Sequence, residues 1–179
     1  MLAEAGYVFE ALPAKNVDET FAPNRETPAA HVQRLAYEKA QEVAEQQLLF
    51  PVAARSVVIG CDTVAECEGE VLGKPRDAAD ARRMLEKLSG QEHRVLSGLC
   101  LWPVPENTPI TRLAVTVLRM DRLSPEQLDE YLASGQWSGK AGAFGYQDRT
   151  GWLHVVAGSE SNVVGLPLEL LAETLGELE

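Results

Sequence analysis

The chain predicts an α/β fold built on a mixed sheet, and three observations predict it. Apolar runs of period two are interspersed with segments of helical period. The helical segments open at capping residues. The order of elements does not follow a strict βαβ alternation, which argues against a Rossmann or barrel form.

Residues MLAEAGY read as the last turn of a helix closed by Gly6, and YVFEALPA as a short strand after it. Thr27-Pro28 supplies a cap and a first helical residue, and predicts a helix to about Gln47 with Val32, Leu35, Ala36, Ala40 and Val43 as its apolar stripe. Lys39 falls inside that stripe. Ser56 to Gly60 predicts a strand buried on both faces, and the alternation after Asp62, with Glu68-Gly69 at its tip, predicts a hairpin. Asp77 caps a helix that turns Ala81, Met84, Leu85 and Leu88 inward and ends at Gly90. HRVLSGLCLW and ITRLAVTVLRM read as strands, the second alternating through Leu113, Val115 and Val117. Ser124-Pro-Glu-Gln127 is a capping box opening a helix that stops near Gly135. The glycine-rich stretch GKAGAFGYQ precedes a strand, WLHVV; GSESNVVGL reads as a loop, and a last helix begins at Pro167.

At 179 residues the chain can bury one substantial core, so a single domain spanning 1–179 is expected. Its net charge of -11 argues against nucleic acid, which needs a basic stripe to displace counterions from the phosphate backbone. A small anionic substrate is compatible with that charge if lysines gather in one cleft. No apolar run approaches the roughly 20 residues that cross a bilayer, and the first residues have neither a basic nor an apolar leader region, so the expected location is the cytoplasm. Cys61, Cys67 and Cys100 match no zinc or CxxC spacing and read as small buried apolar residues; His31, His93 and His154 form no HExxH. The glycines at 139, 142 and 145 follow neither a GxGxxG turn nor a Walker loop.

One constellation can carry chemistry. With Glu68-Gly69 as a two-residue tip, antiparallel pairing sets Lys74 opposite Thr63, which makes Asp62 and Lys74 near neighbours. The plain alternative is a surface ion pair worth about 0–1 kcal/mol. Lys39 must either extend its amine outward or meet an anion. Lys140 sits among glycines, where the backbone can approach a phosphate closely, and Glu19 lies in NVDET after the first strand. Two carboxylates and three lysines near strand ends or loops suit metal-assisted attack on a phosphate ester or anhydride.

VDE, LAYEKA, GCDTV, GKP, SGKAGAFGYQ and GSESNVVGLP, in this order and at these spacings, resemble the Maf nucleoside triphosphate pyrophosphatases across essentially the whole chain. The resemblance implies an elongated α/β fold like that of inosine triphosphate pyrophosphatases, with a twisted mixed sheet in two lobes and a nucleotide in the cleft between them. It implies a hydrolase that cleaves nucleoside triphosphates between the α and β phosphates to a monophosphate and pyrophosphate, using Mg²⁺ or Mn²⁺. A house-cleaning role, links to cell-division arrest and homodimers go with the family. Carried to matching positions, it implies Asp62 as the proton acceptor that activates water, Glu19 and Asp62 at the metal, and Lys39, Lys74 and Lys140 on phosphates. Thr63 and Gln147 match the branch that acts on dTTP and UTP rather than 7-methyl-GTP. Family members begin with a strand and an SxSxRR loop, whereas this sequence starts within the helix that follows. Two readings of that difference are a start codon farther upstream, or a catalytically impaired member that binds nucleotide or a partner without hydrolysis.

Overall fold

The computed structural model of the protein describes residues 1–48, 56–106, 108–148 and 150–178. Among them is a five-stranded sheet in the order β2-β1-β3-β4-β5, made of β1 (Ser56–Cys67), β2 (Glu70–Leu72), β3 (Glu92–Val104), β4 (Ile110–Met120) and β5 (Leu153–Ala157). The helices are α1 (Pro28–Leu48), α2 (Ala78–Leu88), α3 (Pro125–Ser134), α4 (Glu160–Val164) and α5 (Leu168–Gly176).

The α/β class stands, and all four described pairings in the sheet are antiparallel. The mixture of strand directions expected from sequence is therefore not found among the described residues. A parallel neighbour needs a crossover that returns the chain to the same end of the sheet. Here β1–β2 is a tight hairpin, and each later strand joins its neighbour from the opposite end.

Capping chemistry fixes the helices where the sequence placed them. The Thr27 hydroxyl accepts from the Ala30 amide at 3.2 Å at the head of α1, and Asp77 accepts from the Asp80 amide at 2.8 Å before α2. Both halves of the Ser124–Gln127 capping box are made, and Gly135 closes α3 in the left-handed region at φ 71°. The stripes named for α1 and α2 are buried, from Val32 to Val43 and from Ala81 to Leu88.

α1 lies very close to the sheet because two glycines let it. A Cβ at Gly60 would stand 2.1 Å from the Ala36 carbonyl oxygen, and one at Gly98 would stand 2.0 Å from that of Val32. The approach drops Ala36, Ala40 and Ala44 onto Cys100 and Trp102. On the other side of the sheet a larger apolar cluster joins α2 and α3 to Ala65, Leu72, Leu118, Met120, Phe144 and Trp152.

The hairpin turns at Glu68 (φ 52°) and Gly69 (φ 82°), a two-residue connection with both residues left-handed. Its register pairs Ala65 with Leu72 and Cys67 with Glu70. Continuing that register sets Lys74 beside Thr63. The strand expected at 56–60 and the first arm of the hairpin are one 12-residue strand that runs through Asp62 without a break.

Four local expectations give way. YVFEALPA forms no strand, and Val8 and Phe9 are exposed; alternation states a preference, but a strand exists only where a neighbour completes its hydrogen bonds. Residues 56–59 are exposed or half-buried rather than buried on both faces, since β2 flanks β1 only from Ala65 onward. In β4 the buried face is Thr116, Leu118 and Met120, while Val115 is exposed, because the α2–α3 cluster packs on the even positions. GSESNVVGL contains α4, capped by the Ser159 hydroxyl and by Gly165 at φ 112°; five residues are too few to show a helical period.

Candidate active site

Asp62 leaves the middle of β1 on the face that carries Gly60 and meets α1, whereas Cys61 and Thr63 leave on the other face. Before Ala65 the outer edge of β1 carries no described partner strand. A cleft of about 340 Å³ lies at that edge, and its lining includes Asp62 together with Cys61 and Thr63. Its wall includes Asp62, Thr63, Lys74, Lys140 and Gln147. The apolar part comes from Ala65, Val95, Phe144 and Val163.

Lys39 reaches Asp62 from α1. Its ammonium donates to Asp62 Oδ1 at 2.7 Å and stands 2.6 Å from Glu19 Oε1, so one cation bridges two carboxylates. Burial opposes the charge on Lys39, but the two carboxylates outweigh it and hold its pKa above the usual lysine value. In return the Lys39 ammonium holds the Glu19 carboxyl below the ordinary value, and Lys74 adds to that field.

Lys140 is held differently. Its ammonium donates to both carboxylate oxygens of Asp148, at 2.5 and 2.7 Å, and the Tyr131 hydroxyl donates to Asp148 Oδ2 at 2.6 Å. Burial, and then the Asp148 carboxylate, push the Tyr131 phenol well above its ordinary pKa. A Cβ at Gly145 would stand 2.7 Å from Lys140 Nζ and 2.8 Å from Asp148 Oδ2, so a side chain there would intrude on the pair.

On the opposite wall Thr63 Oγ1 lies 2.6 Å from the hydroxyl of buried Ser97, and Cys61 Sγ donates to the Gly165 carbonyl at 3.3 Å. Cys61 is half-buried at the cleft wall rather than part of the core as expected, and burial pushes its thiol up to about 12, so it stays protonated. None of the three histidines lines the cleft.

Every residue singled out from sequence therefore has a place: Asp62, Thr63, Lys74, Lys140 and Gln147 line one cleft, and Lys39 and Glu19 join it through Asp62. Sequence reasoning missed Asp148, Ser97 and Tyr131. Asp148 had one usable signal, as an acid directly after the glycine-rich stretch that carries Lys140. Ser97 and Tyr131 had none, because each joins the site only through strand register or helix packing.

Among the described residues no group of three or more His, Cys, Asp or Glu gathers to hold a metal ion. Glu19 and Asp62 nevertheless suit a hard cation that shares its shell with phosphate oxygens and water. A single ammonium lies within 2.7 Å of both carboxylates, so both reach a common point with oxygen donors.

Fold and cleft together define an α/β protein whose cleft gathers amines from several elements beside a bridged pair of carboxylates. The profile of the Maf family, described as Maf-like protein, matches residues 1–178, and the chain belongs to that family. It is 44% identical over 180 residues to a dTTP/UTP pyrophosphatase of Rhodopirellula baltica, an alignment covering 100% of this chain and 77% of the relative. A dTTP/UTP pyrophosphatase of Geotalea uraniireducens is 41% identical over 169 residues, covering 94% of this chain and 83% of its own length. One from Ruminiclostridium cellulolyticum is 34% identical over 180 residues, covering 99% and 89%.

Proposed function

We propose that the protein is a nucleoside triphosphate pyrophosphatase, a hydrolase that cuts the α–β phosphoanhydride of dTTP, UTP or modified pyrimidine nucleotides to a monophosphate and pyrophosphate. The observation that carries this is the meeting of Asp62, Thr63, Lys74, Lys140 and Gln147 on one cleft, with Lys39 and Glu19 linked to it through Asp62. The names of the relatives support the same reaction.

In this reading Asp62 is the general base. The Asp62 carboxylate, which Lys39 engages through one oxygen in the free protein, accepts a proton from water as the water oxygen bonds to phosphorus. The anhydride P–O bond breaks, and its electron pair leaves on pyrophosphate, where Lys74 and Lys140 offset the added charge. Glu19 and Asp62 would hold Mg²⁺ or Mn²⁺, which when bound neutralises phosphate charge and orients the phosphates. Lys39 keeps the two carboxylates from repelling each other before the substrate arrives. Thr63, fixed by Ser97, and Gln147 contact the substrate and give the pyrimidine preference.

No helix among the described residues is long and apolar enough to cross a membrane. A cytoplasmic house-cleaning enzyme, with homodimers as in its family, is the setting this reading proposes.

The test is a panel of dTTP, UTP and 7-methyl-GTP with Mg²⁺ or Mn²⁺, measuring pyrophosphate release. The pyrimidine nucleotides should react fastest; faster release from 7-methyl-GTP would overturn the base preference. Asp62→Asn should lower kcat by about 100- to 10,000-fold with nucleotide binding retained. An Asp62→Asn protein as active as the native one would remove the proposed base, and binding without turnover in the native chain would mark an impaired family member.

A further inference from the structure

Glu19 lies in a segment, residues 17–22, with no helix or strand to hold it. A flexible carboxylate would spend little time within 2.6 Å of Lys39, since ordering each backbone residue costs about 1–2 kcal/mol. Something must fix this stretch, and the contacts converge on one side chain of α1.

Arg34 spreads its guanidinium over that segment. Nη1 donates to the Asp18 carbonyl at 3.2 Å and Nη2 to the Thr20 carbonyl at 3.5 Å, gripping the backbone on either side of Glu19. The remaining donors are tied to α1 and the turn before it. Nε and Nη2 donate to the two oxygens of Glu26 at 3.1 and 3.0 Å, and Nη1 donates to Glu38 at 3.1 Å. Buried His31 sets its Nδ1 2.9 Å from Glu26, and Phe21 packs edge-on against the same imidazole at 5.1 Å. Arg34, first of all, holds the Glu26 carboxyl down at about 2, as expected of a permanently ionised anchor. The Asp18 carboxylate accepts from the Thr20 amide at 3.0 Å and closes the turn around Glu19.

We propose that Arg34 is a positioning residue for the site: its guanidinium, braced by Glu26, clamps the backbone on both sides of Glu19 and so presents that carboxylate to Lys39 and Asp62. A lysine could not replace it, because a single ammonium cannot serve two carbonyls and a bidentate carboxylate in one plane. The clamp also links two parts of the site through one helix, since Arg34 and Lys39 both ride on α1. This rests on the proposed reaction only for its catalytic consequence; the clamp itself is a statement about residues 18–22.

The experiment compares the native protein with Arg34→Lys, Glu26→Gln, Glu19→Gln and the Arg34→Lys/Glu19→Gln pair. Amide hydrogen exchange is measured without nucleotide or added metal, and pyrophosphate release is measured with both. In Arg34→Lys and Glu26→Gln the amides of residues 18–22 should exchange at least about tenfold faster while those of β1 and β3 stay as in the native protein. Turnover should fall about 10- to 100-fold in Arg34→Lys. Adding Glu19→Gln to Arg34→Lys should cost less than about threefold more, because two residues serving one function are not additive. Unchanged exchange at 18–22 in both variants, or losses that multiply in the pair, overturns the proposal. If Arg34→Lys loosens β1 and β3 as well, Glu26→Gln decides by the same amides, since it leaves the guanidinium in place. A native protein that releases no pyrophosphate from any nucleotide sinks the reaction, while the exchange comparison still decides the clamp.

Discussion

Among the described residues neither ring nitrogen of His93 has a hydrogen-bond partner, although the side chain is only 2% exposed and meets the edge of Phe144 at 5.2 Å. Burial lowers its pKa from 6.5 to about 4, so the folded protein keeps the imidazole neutral. An unfolded chain takes up that proton near 6.5, and the folded one only near 4. Between those values the unfolded state binds more protons, so stability falls as pH drops through the window and levels off below it. The loss is on the order of 3 kcal/mol. His93→Leu should therefore shrink the difference between urea midpoints at pH 7 and pH 4.5; an equal acid loss in variant and native protein would contradict this. Residue-scale features of this kind had no signature in the sequence, where His93 is one of three scattered histidines. Asp148 is similar: its neighbours in the chain gave a hint, but its pairing with Lys140 and Tyr131 exists only because α3 packs beside the glycine-rich turns.

Helices and the hairpin were the most legible elements, because their signals are local. Thr27-Pro28, Asp77 and the Ser124–Gln127 box act within one turn of themselves, and the Glu68-Gly69 tip sets the register of the strands it joins. The face of β4 and the fate of YVFEALPA were not legible, since both depend on what lies alongside. The seating of α1 shows why an element can be right and its position still hidden. Gly60 and Gly98 look like ordinary strand glycines, yet they are the floor on which the helix rests. Gly98→Ala would force a Cβ to within 2.0 Å of a carbonyl oxygen, so α1 must lift. A loss of about 3 kcal/mol or more in urea unfolding is expected. Turnover should fall with it even at temperatures where the variant is folded, since Lys39 and Arg34 are carried on the displaced helix. Native-like activity in a folded Gly98→Ala protein would show that α1 has more room than this packing allows.

For the molecule as a whole, a net charge of -11 coexists with a cleft lined by Lys74 and Lys140, with Lys39 joined to it through Asp62. Local field, not total charge, decides what such a cleft accepts. A nucleoside triphosphate that binds only the native state should stabilise it by about 2.7 kcal/mol at 100 times its dissociation constant. Thermal unfolding with dTTP or UTP would show this as a raised midpoint, and no shift with any nucleotide would leave the chain without a ligand of the proposed class. By itself the sequence determined α1, α2, α3 and α5, the hairpin register and the family, together with the identity of each charged group, because these follow from neighbours in the chain or from motif order. The tertiary structure alone decided that, among the described residues, no strand pairs with the outer edge of β1 at Asp62, where the cleft lies. It also decided that Arg34 grips the segment bearing Glu19, and that Asp148 answers Lys140. Contacts between residues far apart in the chain depend on packing that no local spacing encodes.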